Sequence, residues 1–299
     1  VTRPATTKDP EVVAGRLLRA SVDNSYDPDV DIDWAAPPAP DTFYAPVERV
    51  SLYGTPLWER LGRQRQIELS KHEVASIASV GVEFELILMQ MLVRHAYDRD
   101  MTSRHFQYAL TEIGDECRHS VMFGRMISTF GCPAYGLGRR VHREARFLKS
   151  TASGPLLFAA ALIAEEMLDT LQREAMADES VQPLVRMVSR IHVVEEARHV
   201  RFAREEVRRQ VGELSRVDLA YTRLMLGRIA AHMAASLIHP GCYAAVGLDP
   251  AEARAAARVS PYHRRMMADV GRRPSGFLAE VGLIAGPGRL AWRRSGLLG

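Results

Sequence analysis

The chain predicts an all-α protein centred on a four-helix bundle, and three features carry that expectation. Long segments with apolar residues at 3.6-residue spacing dominate it, and strong strand signals are few. The run from His192 to His199 puts His192, Glu196 and His199 within roughly 60° of one another on one helical face, over about 10 Å of axis. The tail of that run, Glu195-Glu196-Ala197-Arg198-His199, has an earlier copy in Asp115-Glu116-Cys117-Arg118-His119, and both read acid-Glu-x-Arg-His. Two helices bearing Glu-x-x-His are the signature of a carboxylate-bridged dimetal site in a ferritin-like bundle. That site also takes one Glu from each of two further helices.

Composition agrees with a large helical core. The 299 residues are 47% hydrophobic and 25% charged, and the formal charge of +3 is small. Its charges are interspersed, which recommends neither nucleic acid nor an anionic membrane as partner. Cys117, Cys132 and Cys242 lack the spacing of a disulfide framework or a thiolate metal site, and a reducing cytoplasm is expected. The longest apolar stretch, Leu156 to Ala164, is shorter than the roughly 18 residues of a membrane span.

Taken in order, residues 1–63 read as an N-terminal arm with short helices, including one from Glu11 to Ala20. The stretch from Asp23 to Pro46 is rich in Asp and Pro, but Tyr26, Trp34, Phe43 and Tyr44 suggest an extended arm laid on the body. Residues 64–240 should hold the bundle and one following helix, and residues 241–299 short helices packed on it, all in one globular domain. The first bundle helix is expected from Gln64 to Tyr97. Its stripe of Val74, Ile77, Gly81, Leu88 and Leu92 includes Glu85 and leaves Glu83 aside. A lone carboxylate there would cost several kcal/mol, roughly, unless a cation paired with it.

The second helix, Thr102 to Phe130, carries the first motif. A connection from Tyr135 to Thr151 leads to Gly154-Pro155, which opens a third helix running to Met176. This helix is almost wholly apolar until Glu165, Glu166 and Asp169, so at least one of these acids should be buried. The fourth helix, Pro183 to Gln210, carries the second motif, and Ser215 should cap a fifth that ends before Pro240. Beyond it, Asp249 to Arg258, Pro261 to Val270, Ser275 to Val281 and a last Arg-rich turn read as short helices. They would roof a cavity or serve a subunit contact in a homodimer.

Carboxylates from four helices give four negative charges, which balance two divalent ions, while imidazoles complete the coordination. Two iron ions suit such ligands, and manganese suits them too. Asp115 and Glu195, each preceding a ligating Glu, can accept hydrogen bonds from the outer ring nitrogens of His199 and His119 across the bundle. Arg118 and Arg198 would neutralise those two acids. His72, His95, His105, His232 and His239 read as packing or surface residues.

The stretch containing Ala164-Glu165, His192, Glu196 and His199 resembles the p-aminobenzoate N-oxygenase family of AurF-type non-haem di-iron oxygenases. The gapless spacing from Glu165 to His199 matches the family pattern and selects Glu165 over Glu166. Asp115-Glu116 with His119 and Phe84-Glu85 match the family's earlier ligands. The resemblance implies a metal set of Glu85, Glu116, His119, Glu165, His192, Glu196 and His199, with no catalytic residue beyond it. By that resemblance Glu116 and Glu196 bridge, Glu85 and His119 complete one site, and Glu165, His192 and His199 complete the other. About one turn after the third-helix Glu, the family's p-aminobenzoate enzyme has Asn near its substrate. Here Asp169 stands there as a substrate-pocket candidate, less suited to an anionic benzoate.

The expected function is therefore activation of O2 at two irons to oxygenate a small molecule, with N-oxygenation of an (aryl)amine as the family-implied reaction. A C–H hydroxylase or desaturase on the same metals, or a ferritin-like iron-handling protein, are the competing readings. The chain has too few cysteines for its own iron–sulfur cluster and no Gly-rich dinucleotide fingerprint, so an external electron donor is expected.

Overall fold

The computed structural model describes residues 9–298. Four long helices form the bundle: α4 (Arg63–Tyr97), α5 (Arg104–Thr129), α7 (Gly154–Ala177) and α8 (Pro183–Val211). Helix α4 packs along α5 and α7 along α8, so each Glu-x-x-His helix lies beside one of the other two. Local chemistry sets the ends. Ser103 Oγ accepts the Phe106 amide at 3.1 Å to cap α5, and Pro155 and Pro183 occupy first-turn positions of α7 and α8, where no amide donor is needed. Gly131, at φ +64°, lets the chain leave α5 in the left-handed region.

Before the bundle come α1 (Pro10–Asp23), α2 (Pro28–Asp31) and α3 (Pro56–Leu61). The arm between α1 and α3 lies on the body. Phe43 and Tyr44 are buried, Phe43 forms a parallel bridge with Val181, and the Gln182 side chain bonds to Ala39 and Thr42. Aromatic burial and side-chain bonds to its backbone offset the ordering entropy of this Pro-rich stretch.

Two sequence expectations are corrected. The connection from Tyr135 to Thr151 contains a helix, α6 (Arg139–Thr151), which places Val141, Ala145 and Leu148 toward α4 and α9 (Arg216–Ser236). Three apolar residues among so many Arg make a stripe too narrow to stand out from periodicity. The segments Pro261 to Val270 and Ser275 to Val281 form one helix, α12 (Pro261–Glu280), with Pro274 inside it; α10 (Gly241–Ala245) and α11 (Pro250–Val259) precede it. Proline removes one helical donor, but Phe277 beneath the guanidinium groups of Arg204 and Arg208, and buried Leu278, hold the second half on the core. The last helix, α13 (Gly288–Arg294), sits so close to α9 that a Cβ on Gly227 would come within 2.4 Å of the Gly288 carbonyl oxygen.

By length and composition α4 could cross a membrane. It is instead a bundle helix, with buried Glu73 and Glu85 along it, and core helices of soluble proteins pass the same test. Glu73 bonds to the Ser51 amide at 3.0 Å and to its hydroxyl, which lies 2.9 Å from the Tyr243 hydroxyl. Among the described residues no cation pairs with this acid, and burial pushes it up to about 7 despite the two Ser51 bonds. A raised carboxylate contributes stability that is fully present below its unfolded value and is lost as pH rises through about 7. Glu73→Gln should therefore flatten the wild-type fall in melting temperature between about pH 5 and 8. Parallel melting curves of the two proteins over that window would remove Glu73 as the cause.

Candidate metal centre

Seven side chains converge in the middle of the bundle: Glu85 from α4, Glu116 and His119 from α5, Glu165 from α7, and His192, Glu196 and His199 from α8. All are buried, none more than 2% exposed. Glu85 points inward, whereas Glu83 is only half-buried, as the apolar stripe of α4 requires. Ligand atoms of Glu85, His119 and His192 lie within 4.8 Å of one another, as do those of Glu116, His119 and Glu196, and of Glu165, His192 and Glu196. His192 thus reaches toward both Glu85 and Glu165, at 3.5 Å from Glu85 Oε1 and 3.6 Å from Glu196 Oε1.

Each imidazole presents one nitrogen to this cluster and anchors the other outside it. His119 Nδ1 lies 2.9 Å from Glu116 and 3.3 Å from Glu196, while its Nε2 meets Glu195 at 2.8 Å. His199 Nδ1 lies 3.0 Å from Glu196 and 3.1 Å from Glu116, while its Nε2 meets Asp115 at 3.1 Å. Both cross-bundle pairs expected from the repeated motif are therefore brought together. His192 is turned the other way, with Nε2 inward and Nδ1 bonded to Gln172 Oε1 at 2.7 Å.

Arg198 is buried and bridges Asp115, at 3.2 Å, to the Asn24 carbonyl, at 3.0 Å. Arg118 also pairs with Asp115, but its side chain is 40% exposed, so only one of the two motif arginines is buried. The arm crosses Arg198 at Asn24 and donates the Tyr26 amide to Glu195 at 3.3 Å.

The donor set fits two metal ions. Glu85 Oε2, both oxygens of Glu165 and Glu196 Oε2 are buried and accept no hydrogen bond, which is costly unless cations take them. Burial, then the neighbouring carboxylates, push Glu85 and Glu165 well above the usual range. Burial and Glu196 would also raise Glu116, but His199 and His119 hold it down to about 2. Burial lowers His192 to about 4, leaving it neutral and ready to ligate. If Asp115 and Glu195 orient their histidines, replacing either by Ala should weaken metal retention about 10- to 100-fold. Metal content after dialysis checks this, and unchanged retention in the double variant would refute that role.

Asp169 is buried but bonds to Arg173 at 2.8 Å and to Arg273. It does not line the cavity of about 70 Å³ beside the cluster; Gln172 does. Through Arg273 this acid also ties α7 to α12. Glu166, also buried, pairs with Arg204 at 2.6 Å. Several histidines read as packing or surface residues have polar partners: His105 lies 3.2 Å from Glu206, His72 2.7 Å from the Tyr135 hydroxyl and His232 2.7 Å from Glu144.

Two residues near the cluster escaped the sequence reading. Glu112, pushed up to about 8 mainly by burial, comes within 4.8 Å of Glu116 and His199 through its ligand atoms. It lies four residues before Glu116, a same-face spacing that could have found it. Gln172 lies seven residues after Glu165 and so on nearly the same face, a signal equally open.

The model of the family described as P-aminobenzoate N-oxygenase AurF matches residues 7–282. The chain belongs to that family. It is 34% identical over 212 residues to uncharacterized proteins Rv0885 of Mycobacterium tuberculosis and Mb0909 of Mycobacterium bovis, a match covering 68% of this chain. The matched stretch spans 62% of the length of those relatives. Two R2-like ligand-binding oxidase variants with aerobically reconstituted Mn/Fe cofactor are similar at 14% identity and TM-scores of 0.43 and 0.41. Those matches cover 97% of this chain and 90% of theirs.

Proposed function

We propose that this AurF-family chain is a non-haem di-iron oxygenase that uses O2 to oxygenate a small organic molecule, with an amine nitrogen as the oxygenated atom. One observation carries the reading: four buried Glu and three buried His meet at a point where four carboxylate oxygens have no protein donor among the described residues. Four carboxylates would balance two divalent ions, and the hard oxygen and nitrogen ligands suit iron, with manganese as the alternative metal. Glu85, Glu116, His119, Glu165, His192, Glu196 and His199 would hold the pair. When bound, the ions supply O2 activation.

The chain's own residues have three tasks. Asp115 and Glu195 fix the rings of His199 and His119, and Gln172 fixes His192. The N-terminal arm covers Arg198 and Glu195 and so shields the cluster from bulk water. The cavity walled by Ile77, Gly81, Phe123, Leu168 and Val188 receives the substrate beside His192, on whose ring Phe123 packs at 4.9 Å. Electrons come from an external donor. The test is anaerobic loading with Fe²⁺, exposure to ¹⁸O₂ with p-aminobenzoate and neutral arylamines, and product analysis. Label on nitrogen supports the proposal. Label on carbon alone moves the chain to the hydroxylases, and continued oxidation of excess Fe²⁺ without organic product would make it an iron-handling protein.

A further inference from the structure

The three imidazoles of the cluster are not anchored alike. Carboxylates hold His119 and His199, at 2.8 and 3.1 Å, whereas a neutral amide, Gln172, holds His192 at 2.7 Å. For His192 Nε2 to keep a lone pair facing Glu85 and Glu196, Nδ1 must carry the proton and Gln172 Oε1 must accept it. That fixes the amide's orientation. Its NH2 group then points away from the ring and donates no hydrogen bond among the described residues. Gln172 also lines the cavity, so two donors stand at its inner end, next to the metal cluster.

The charges around the cavity narrow what those donors can receive. Arg49, on its outer part, bonds both oxygens of Glu174 at 2.6 Å and Asp269 at 3.1 Å, so it offers no free cation. Glu73, the acid in the lining, is bonded to Ser51. Nearly all the remaining wall is apolar. An anion entering here would lose its hydration without gaining a counter-charge, whereas an uncharged group that accepts hydrogen bonds would be satisfied. The space of about 70 Å³ is several times the roughly 10–15 Å³ needed for one water, so a small organic molecule can occupy it.

We propose that Gln172 does two things at once: its Oε1 positions His192, and its NH2 receives the hydrogen-bond acceptor of an uncharged, mainly apolar substrate. Occupancy of the cavity is thereby coupled to one imidazole of the metal cluster. This rests on the reading of the cavity as the substrate site and names the class of molecule it takes.

Two variants separate the two roles. Gln172→Glu keeps an acceptor for His192 but loses the donors, and Gln172→Leu loses both. The protein is loaded with Zn²⁺, and calorimetry measures binding of acetophenone, which accepts but does not donate, and of benzoate, its anionic counterpart of similar size. Wild type should favour acetophenone by at least about tenfold. Both variants should weaken acetophenone binding about 3- to 10-fold. Gln172→Leu alone should also weaken retention of one Zn²⁺, by about 10- to 100-fold, as loss of a group orienting a metal-bound His commonly does. Wild-type acetophenone affinity in both variants, a preference for benzoate, no binding of either probe, or full Zn²⁺ retention in Gln172→Leu would overturn the proposal. O2 uptake by the iron-loaded wild type tests the oxygenase reading separately, since it needs neither probe nor variant.

Discussion

Stripping both metal ions should lower the melting temperature by about 10 °C or more, and the gap should widen as pH rises. A ligand that binds only the folded state adds roughly 4 kcal/mol at a thousandfold excess over its dissociation constant. Two ions therefore add roughly 8 kcal/mol, and in a chain of 299 residues each kcal/mol shifts the midpoint by about 1.5 °C. The pH dependence comes from what balances the buried carboxylates when the metals are gone. Glu85 and Glu165 are pushed well up, first by burial and then by their carboxylate neighbours, so they take protons. Burial opposes charge on His119 and His199, but Glu116 and Glu195 around the first, and Glu196 and Glu116 around the second, raise both well above the ordinary value. All four groups are raised, so their contribution is full below the unfolded values and is lost as pH rises through the folded ones. The metal-loaded protein needs none of those protons. Calorimetric melting of loaded and chelated protein from about pH 6 to 9 measures the gap, and equal melting after verified removal of the ions would count against a buried dimetal site.

The same electrostatics explain why the cluster was legible in the sequence. An acid on the apolar stripe of α4, acids ending the apolar run of α7, and two copies of one five-residue motif are all costly patterns in a helical core. Cost of that kind leaves a mark on periodicity. Glu85, Glu165 and the motif residues were found by it, and so were the cross-bundle pairs of Asp115 with His199 and Glu195 with His119. Gln172 left no such mark of cost, because a neutral amide is ordinary on a half-buried helix; its spacing from Glu165 gives its face, and its distance to His192 its task. The ion pair of Asp169 was hidden for the complementary reason: its partner Arg273 comes from α12, more than a hundred residues away in sequence. Helix α6 was hidden because its apolar stripe is narrow, and the unbroken α12 because tertiary packing holds a helix across Pro274 that local propensity would end. Arg118 and Arg198 occupy equivalent places in the motif, yet only Arg198 is buried, and it bonds the Asn24 carbonyl where the arm begins.

Replacing His192 by Ala should cost one metal ion and not the other. His192 sits one helical turn before Glu196, and its inward Nε2 lies between Glu85 and Glu196, within reach of Glu165 as well. Burial keeps it neutral, down to about 4, so it adds coordination without adding charge or requiring a proton to leave at neutral pH. Glu116, Glu196 and His119 remain within 4.8 Å of one another without it and can keep an ion. The ion that depends on Glu165 and His192 should be lost by at least the 10- to 100-fold in affinity that removing a mere orienting group causes. Glu196→Ala should behave differently. Glu196 lies within about 3.6 Å of all three imidazoles, so its loss should release both ions. Metal analysis after dialysis should thus give about two, one and no ions per chain for wild type, His192→Ala and Glu196→Ala, by the ligand count of such sites. Two tightly held ions in His192→Ala would make this ring a packing residue bonded to Gln172, and would return the chain to a six-ligand pattern of four Glu and two His.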